Sequence, residues 1–164
     1  MSIQTKDTVT LDFYKEEYKS KLSDYHLSKE QSRYAPLPLN AILKCENDNT
    51  RYPIVILFNG EPAGFFVLQG WEGVKVYSSN KDAILIRGYS VNTTFQGKGI
   101  AKKSLLLLNS FVKKYFPSKK EIILAVNHKN TIAQYVYKKG GYKDKGVRVM
   151  GRKGELFIFH KDLI

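Results

Sequence analysis

The chain has 164 residues, a single cysteine and a formal charge of +12 at pH 7. That length supports one domain with a proper hydrophobic core, and no apolar run approaches the ~18 residues of a membrane-spanning helix. Cys45 alone excludes an internal disulfide and a clustered-cysteine zinc site, residues 1–7 hold no signal-peptide run, and a cytoplasmic location is expected.

Residues 8–13, β-branched and apolar, predict a first strand. Tyr14, Tyr18, Leu22 and Tyr25 then recur at helical spacing and predict a helix over residues 14–25. Ser28 reads as an N-cap with Gln31 as its capping-box partner, and Pro36 and Pro38 end that short helix. Residues 40–50 read as irregular. An apolar run over 54–58 ends at Asn59-Gly60, a hairpin signal, and residues 64–68 return as the second strand. Residues 69–82, with Gly70, Trp71, Gly73 and Tyr77 in a polar setting, read as a strand extension or loop. A buried strand follows, first Ile84, Leu85 and Ile86, then Tyr89, Ser90 and Val91.

Next comes the loop Gln96-Gly97-Lys98-Gly99-Ile100-Ala101. Two glycines at a strand-to-helix junction let the backbone approach a ligand closely, because no Cβ intervenes. The helix behind them opens with unpaired N–H groups and the positive end of its macrodipole, a setting that suits phosphate. Lys98 and Lys102 add positive charge at the same end. A Rossmann turn would want a third glycine where Lys102 stands, and a nucleotide-hydrolase loop would want Ser or Thr after Gly-Lys. A tight turn without a ligand is the plain structural alternative.

The helix over 101–115 turns Ala101, Leu105, Leu108, Val112 and Tyr115 to one side, and Lys102, Lys103, Lys113 and Lys114 to the other; Pro117 ends it. Residues 122–126 form a continuous apolar run of the kind buried on both faces of a sheet. Asn130 caps a helix from Thr131, with Ile132, Ala133, Val136 and Tyr137 inward, and Gly140-Gly141 stops it. Residues 142–148 and 155–160 read as two closing strands. No internal repeat or linker appears, so residues 1–164 are taken as a single domain.

Two stretches together resemble the GNAT superfamily, the Gcn5-related N-acetyltransferases. The first is the (Gln/Arg)-x-x-Gly-x-(Gly/Ala) loop after the fourth strand, here Gln96 to Ala101. The second is Asn-x-x-Ala-x-x-x-Tyr, followed four residues later by Gly and an aromatic: Asn130, Ala133, Tyr137, Gly141 and Tyr142. The resemblance implies an α/β (α+β) fold with one mixed, mostly antiparallel sheet of about seven strands and helices on both faces. It implies acetyl-CoA as cosubstrate, its pyrophosphate held by N–H groups of Gly97, Lys98, Gly99, Ile100, Ala101 and Lys102, next to Gln96. By the same resemblance, the Tyr89-Ser90-Val91 strand would pair with the pantetheine arm through main-chain groups of Tyr89 and Val91, and Asn130 would contact that arm. Tyr137 would stand near the thioester sulfur as the catalytic acid.

The reaction implied is direct attack by a primary amine of a small molecule or peptide in a ternary complex. A main-chain N–H of the central strand can meet the developing oxyanion, and Tyr137 can protonate the departing thiolate. Several relatives carry a glutamate base near the fourth strand. Here that stretch is Arg87-Gly88-Tyr89, so no base is assigned and water can relay the proton. The acceptor itself is not legible, and a homodimer is compatible with the resemblance.

The remaining candidates read more plainly. Cys45 lacks a nucleophile context. His26, His128 and His160 are too scattered for a metal site or triad, and His128 reads as a surface residue. Arg87 can touch an acceptor or pair locally, and Trp71 and Tyr77 can wall an acceptor pocket or simply pack. The basic balance admits polyanionic partners, but the aromatic motif of an RNA-recognition sheet is missing, so nucleic acid is disfavoured. A GNAT-fold acyl-CoA binder without catalysis is the other alternative, against which Tyr137 argues.

Overall fold

The computed structural model describes residues 6–164. It has a seven-stranded mixed sheet in the order β1-β2-β3-β4-β5-β7-β6. The strands are β1 (Val9–Phe13), β2 (Arg51–Phe58), β3 (Glu61–Gln69), β4 (Ala83–Val91), β5 (Glu121–Asn127), β6 (Lys143–Gly151) and β7 (Gly154–Asp162). Only β4 and β5 run parallel; every other neighbouring pair is antiparallel. The helices are α1 (Lys19–Ser23), α2 (Lys29–Ser32), α3 (Pro38–Glu46), α4 (Trp71–Val74), α5 (Ile100–Tyr115) and α6 (Thr131–Lys139).

The sheet is covered on both sides, as expected. Ile54, Ile56, Phe66, Ile84, Ile122 and their neighbours pack against α5 and α6 on one face. Val55, Leu57, Phe65 and Val67 meet α1 and α3 on the other, where Leu85, Ile123 and Ile158 continue the apolar surface under α4. Successive residues of β5 thus enter different clusters, which is why that strand is apolar without interruption. Asn59 and Gly60 take φ of 51° and 82° in a two-residue hairpin turn, the primed geometry that Asn-Gly favours.

Several sequence expectations change. The helix over 14–25 is a 3-10 turn, Glu16–Tyr18, followed by the short α1; Tyr25 lies beyond it and packs with Leu22. The stretch read as irregular contains α3: Pro38 stands in its first turn, where a missing N–H costs nothing, so this proline starts a helix instead of ending one. Residues 69–82 contain α4. On α5 the buried stripe includes Ile100 and Phe111, whereas Tyr115 is 46% exposed and meets Phe13 edge to face. On α6 only Tyr137 is buried, and Ile132 is 65% exposed because it faces a cleft instead of the core.

The feature that positions the site is the parting of β4 from β5. They pair only from Ala83–Ile86 to Glu121–Leu124. Beyond Ile86, β4 carries a bulge: Arg87 to Ser90 oppose Val67 and Phe65, so one extra residue is accommodated. Gly88, at φ 60°, takes the left-handed conformation within the bulge. β4 bends with β3, β5 stays with β7 as far as Asn127, and a wedge opens between them.

Candidate active site

A cleft of about 720 Å³ runs through this wedge. Ile86, Leu124, Val126, Ile100, Ala133 and Tyr137 line it on the α5/α6 side; Leu85, Val67, Tyr77, Ala125 and Leu156 line it on the side of α2 and α3. The turn between β6 and β7 reaches across it, with Lys153 Nζ donating to the Arg33 carbonyl at the end of α2. Asn127 Nδ2 donates to Lys153 O at 3.1 Å and holds the root of that turn.

At one mouth stands the glycine loop. Gly97 and Gly99 have φ of 81° and 74°, and a Cβ on either would meet no atom within 4 Å, so their outer faces are open to a ligand. Gly99 is the N-cap of α5 and offers no side-chain oxygen. The six N–H groups from Gly97 to Lys102 consequently have no acceptor among the described residues. Free donors converging at a helix N-terminus form a cradle that fits a pyrophosphate. Tyr89 secures the cradle from below: its hydroxyl lies 2.5 Å from Ser104 Oγ and 3.3 Å from Ala101 O, tying the first turn of α5 to β4.

Tyr137 forms the wall of the wedge, buried in the main core with its ring 5.9 Å from Tyr89 and 6.0 Å from Tyr142. Burial first, and then the nearby Tyr89, push its phenol well above the ordinary value, so it stays protonated across any physiological pH. Asn130 caps α6, accepting from Ala133 N at 3.3 Å, and also faces the cleft.

Of the residues expected at the site, Tyr89, Val91, Gln96, Gly97, Gly99, Ile100, Ala101, Asn130 and Tyr137 line the cleft. Ser90, Lys98 and Lys102 do not. The Ser90 hydroxyl is buried on the opposite face, 2.8 Å from the Tyr25 hydroxyl. Lys98 leans over Phe58 at 5.9 Å, and Lys102 is exposed.

Sequence reading missed the part played by Gln31. The Ser28 hydroxyl accepts from Gln31 N at 3.0 Å, as a capping box requires, but the Gln31 side chain does not turn back. It crosses to β4, where Oε1 accepts from Val91 N at 3.2 Å and Nε2 donates to Val91 O at 3.1 Å. Asn92 N pairs with Ala63 of β3, so the groups of Val91 point the other way, into the wedge. One carboxamide thus stands in for a strand at the edge implied for the pantetheine arm. The capping pattern hides this reach, since both uses call for the same residue type.

The histidines are dispersed, and no group of three metal-ligating side chains occurs among the described residues. His128 is half-buried, with Nδ1 3.0 Å from Glu155 O, and props the turn over the cleft. His160 is buried 3.4 Å from Glu121. Burial raises the Cys45 thiol, which fits an inert residue. Tyr77 lines the cleft, whereas Trp71, the first residue of α4, packs against the cluster of Val74, Leu85 and Ile123 with Lys81 above its ring. No helix among the described residues is long and apolar enough to cross a membrane.

Comparison with known proteins bears on the family and the fold. A sequence model of the Acetyltransferase (GNAT) family matches residues 11–142. The chain is 42% identical over 153 residues to the "Uncharacterized N-acetyltransferase YbbJ" of Bacillus subtilis (strain 168), covering 93% of this chain and 96% of that protein. The fold is shared with an aminoglycoside acetyltransferase, AAC(6')-Ib, solved with coenzyme A and kanamycin (TM-score 0.74, 19% identity, 94% of this chain and 95% of that one). It is shared too with a spermidine N-acetyltransferase from Vibrio cholerae, solved with CoA and spermine (TM-score 0.68, 15% identity, 94% and 95%). The chain belongs to the GNAT acetyltransferase family. It is an N-acetyltransferase, and acetyl-CoA is its cosubstrate.

Proposed function

We propose that the protein transfers an acetyl group from acetyl-CoA to the primary amine of a small acceptor, by direct attack with both substrates in the cleft. The observation that carries this reading is the run of six unpartnered N–H groups, Gly97 to Lys102, at the mouth of a wedge walled by Tyr137. Acetyl-CoA supplies an activated acetyl group: a C–N bond forms to the amine, the C–S bond breaks, and the amine proton leaves to solvent.

The N–H groups at the start of α5 hold the pyrophosphate, the charged end of the cosubstrate, and Asn130 stands beside the arm that enters the wedge. The β5-facing edge of β4 past Ile86 has no strand partner among the described residues and, where Gln31 does not occupy it, offers main-chain donors to the acyl oxygen. The Tyr137 phenol, kept protonated by burial, gives its proton to the departing sulfur and recovers one from solvent. The amine must arrive neutral, yet among the described residues the only carboxylate lining the cleft is Glu30, which pairs with Arg33 at 3.5 Å. The cations at the acceptor end disfavour an ammonium beside them and promote loss of its proton to water. The amines named for the structural neighbours support amine acceptors as a class, and nothing finer.

Calorimetric titration with CoA, followed by thiol release with a panel of amines, tests the reading. Binding with release is expected. Absence of CoA binding at millimolar concentration overturns the placement of the cosubstrate, and binding without release for any amine overturns the transfer.

A further inference from the structure

The acceptor end of the cleft has a charge imbalance that acyl transfer does not by itself require. Six of the charged residues lining the cleft are basic and one, Glu30, is acidic. Three of the basic ones, Lys44, Arg51 and Arg87, come together where α3, the start of β2 and the bulge of β4 converge, away from the pyrophosphate cradle on α5.

They are not equally neutralised. Arg51 Nε lies 3.2 Å from Asp48 Oδ2. Asp48 also accepts from Thr50, from both its N–H and its hydroxyl, and at 3.5 Å from Gln69 Nε2, so its oxygens are already engaged and it reaches Arg87 only through the neutral Gln69. Lys44 and Arg87 have no carboxylate within 4.0 Å among the described residues. Arg87 is partly buried, and its one side-chain partner is a neutral oxygen: Nη1 donates to Gln69 Oε1 at 3.3 Å.

Gln69 is itself fixed. It is 3% exposed, its Nε2 donates to Thr50 Oγ1 at 3.0 Å, and its head lies so close to Gly73 that no side chain fits there. The guanidinium is therefore held on a rigid support, with four of its five N–H donors left over. Burial and the adjacent Arg51 both work against its charge, yet a guanidinium does not give up its proton in a protein. A partly buried cation in this position gains from any anionic group seated against it, and a planar fork matches carboxylate and phosphate oxygens two at a time.

We propose that the acceptor is an amine that also carries an anionic group, carboxylate or phosphate, and that Arg87 is the residue that binds that group, with Lys44 and Arg51 adding to the local field. This rests on the acetyltransferase reading and narrows its acceptor. The bulge at Gly88 sets Arg87 and Tyr89 on opposite faces of the sheet, with Arg87 on the Gln69 side of the wedge and Tyr89 on the α5 side. A polycationic amine is repelled from that end of the cleft.

The test uses the full-length protein saturated with CoA. Calorimetry measures the binding of N-acetylated amino acids against their methyl esters, and of N-acetyl phosphoethanolamine against N-acetylethanolamine; the two sets separate carboxylate from phosphate. The expected result is at least about tenfold tighter binding of the anionic member in one set. Arg87→Gln should abolish that preference while CoA affinity holds, and Arg87→Lys should restore only part of it. Equal binding within every pair, no binding by any probe, or a preference that survives in Arg87→Gln each overturns the proposal. Failure of CoA to bind the wild-type protein would instead show the acetyltransferase site to be misplaced.

Discussion

At the scale of single residues, the proposed chemistry rests on a phenol and two glycines. The Tyr137 hydroxyl forms no side-chain hydrogen bond that perturbs it, and its ring packs between Tyr89 and Tyr142. Tyr137→Phe keeps that packing, so stability and CoA affinity should be unchanged. The turnover number should fall by about 10²-fold, at the low end for a general acid because a thiolate leaves readily. Steady-state rates from pH 6 to 9 check this; a wild-type rate throughout would make water the donor. Gly99 combines an open outer face with φ of 74°. A side chain there costs about 1–2 kcal/mol in backbone strain and also covers the free N–H groups. Gly99→Val should therefore weaken CoA at least about tenfold, or 1.4 kcal/mol. Calorimetry decides it, and undiminished affinity would mean that the pyrophosphate is held elsewhere.

Between elements, the decisive contact is α2 on β4. The Gln31 carboxamide occupies both main-chain groups of Val91, where the pantetheine arm is expected to pair. Each such hydrogen bond has a net worth of about 0.5–1.5 kcal/mol. If the arm uses that edge, Gln31 must release it, and Gln31→Ala should tighten CoA by roughly fivefold, about 1 kcal/mol. Weaker binding in Gln31→Ala would show that the glutamine stays in place and that the arm bypasses Val91. The same contact explains why so short a helix as α2 is ordered. It has four residues, none buried, and is held by its Ser28 cap and by the reach of Gln31 to the sheet. Helices of that length do not persist on propensity alone.

For the whole molecule, two bulk responses follow. CoA at 100 times its Kd should add about 2.7 kcal/mol, which in a chain of this size raises the melting temperature by roughly 5–10 °C. Differential scanning calorimetry with and without CoA measures it, and no shift would remove the cofactor site. The second response is to alkali. Burial raises the phenols of Tyr25, Tyr89, Tyr137 and Tyr142 in the folded state. Above about pH 10 the unfolded chain loses these protons while the folded chain keeps them. The unfolded state then binds fewer protons, so stability is full below pH 10 and declines as pH rises, by up to about 1.4 kcal/mol per pH unit for each tyrosine. Urea midpoints at pH 9, 10 and 11 should fall in that order; a flat profile would mean that these phenols ionise normally.

Local rules made the strands, α5, α6, the Asn-Gly hairpin and both family signatures legible, because hydrophobic period, capping residues and glycines act within a few neighbours of themselves. The same rules failed at α3, where Pro38 served equally as a stop or a start, and at residues 14–25, where tyrosines at helical spacing pack onto the sheet without a continuous helix between them. The cleft was out of reach altogether. Gln31 and Val91 are 60 residues apart, and Gln69 and Arg87 are 18 apart; their meeting depends on strand register and on the bulge at Gly88. Sequence by itself determined the family and the cosubstrate, and marked the loop proposed to hold it. Which charges share a pocket with the acceptor was decided only when β4 bent away from β5, because electrostatic interactions act through space and the chain specifies that space only once it is folded.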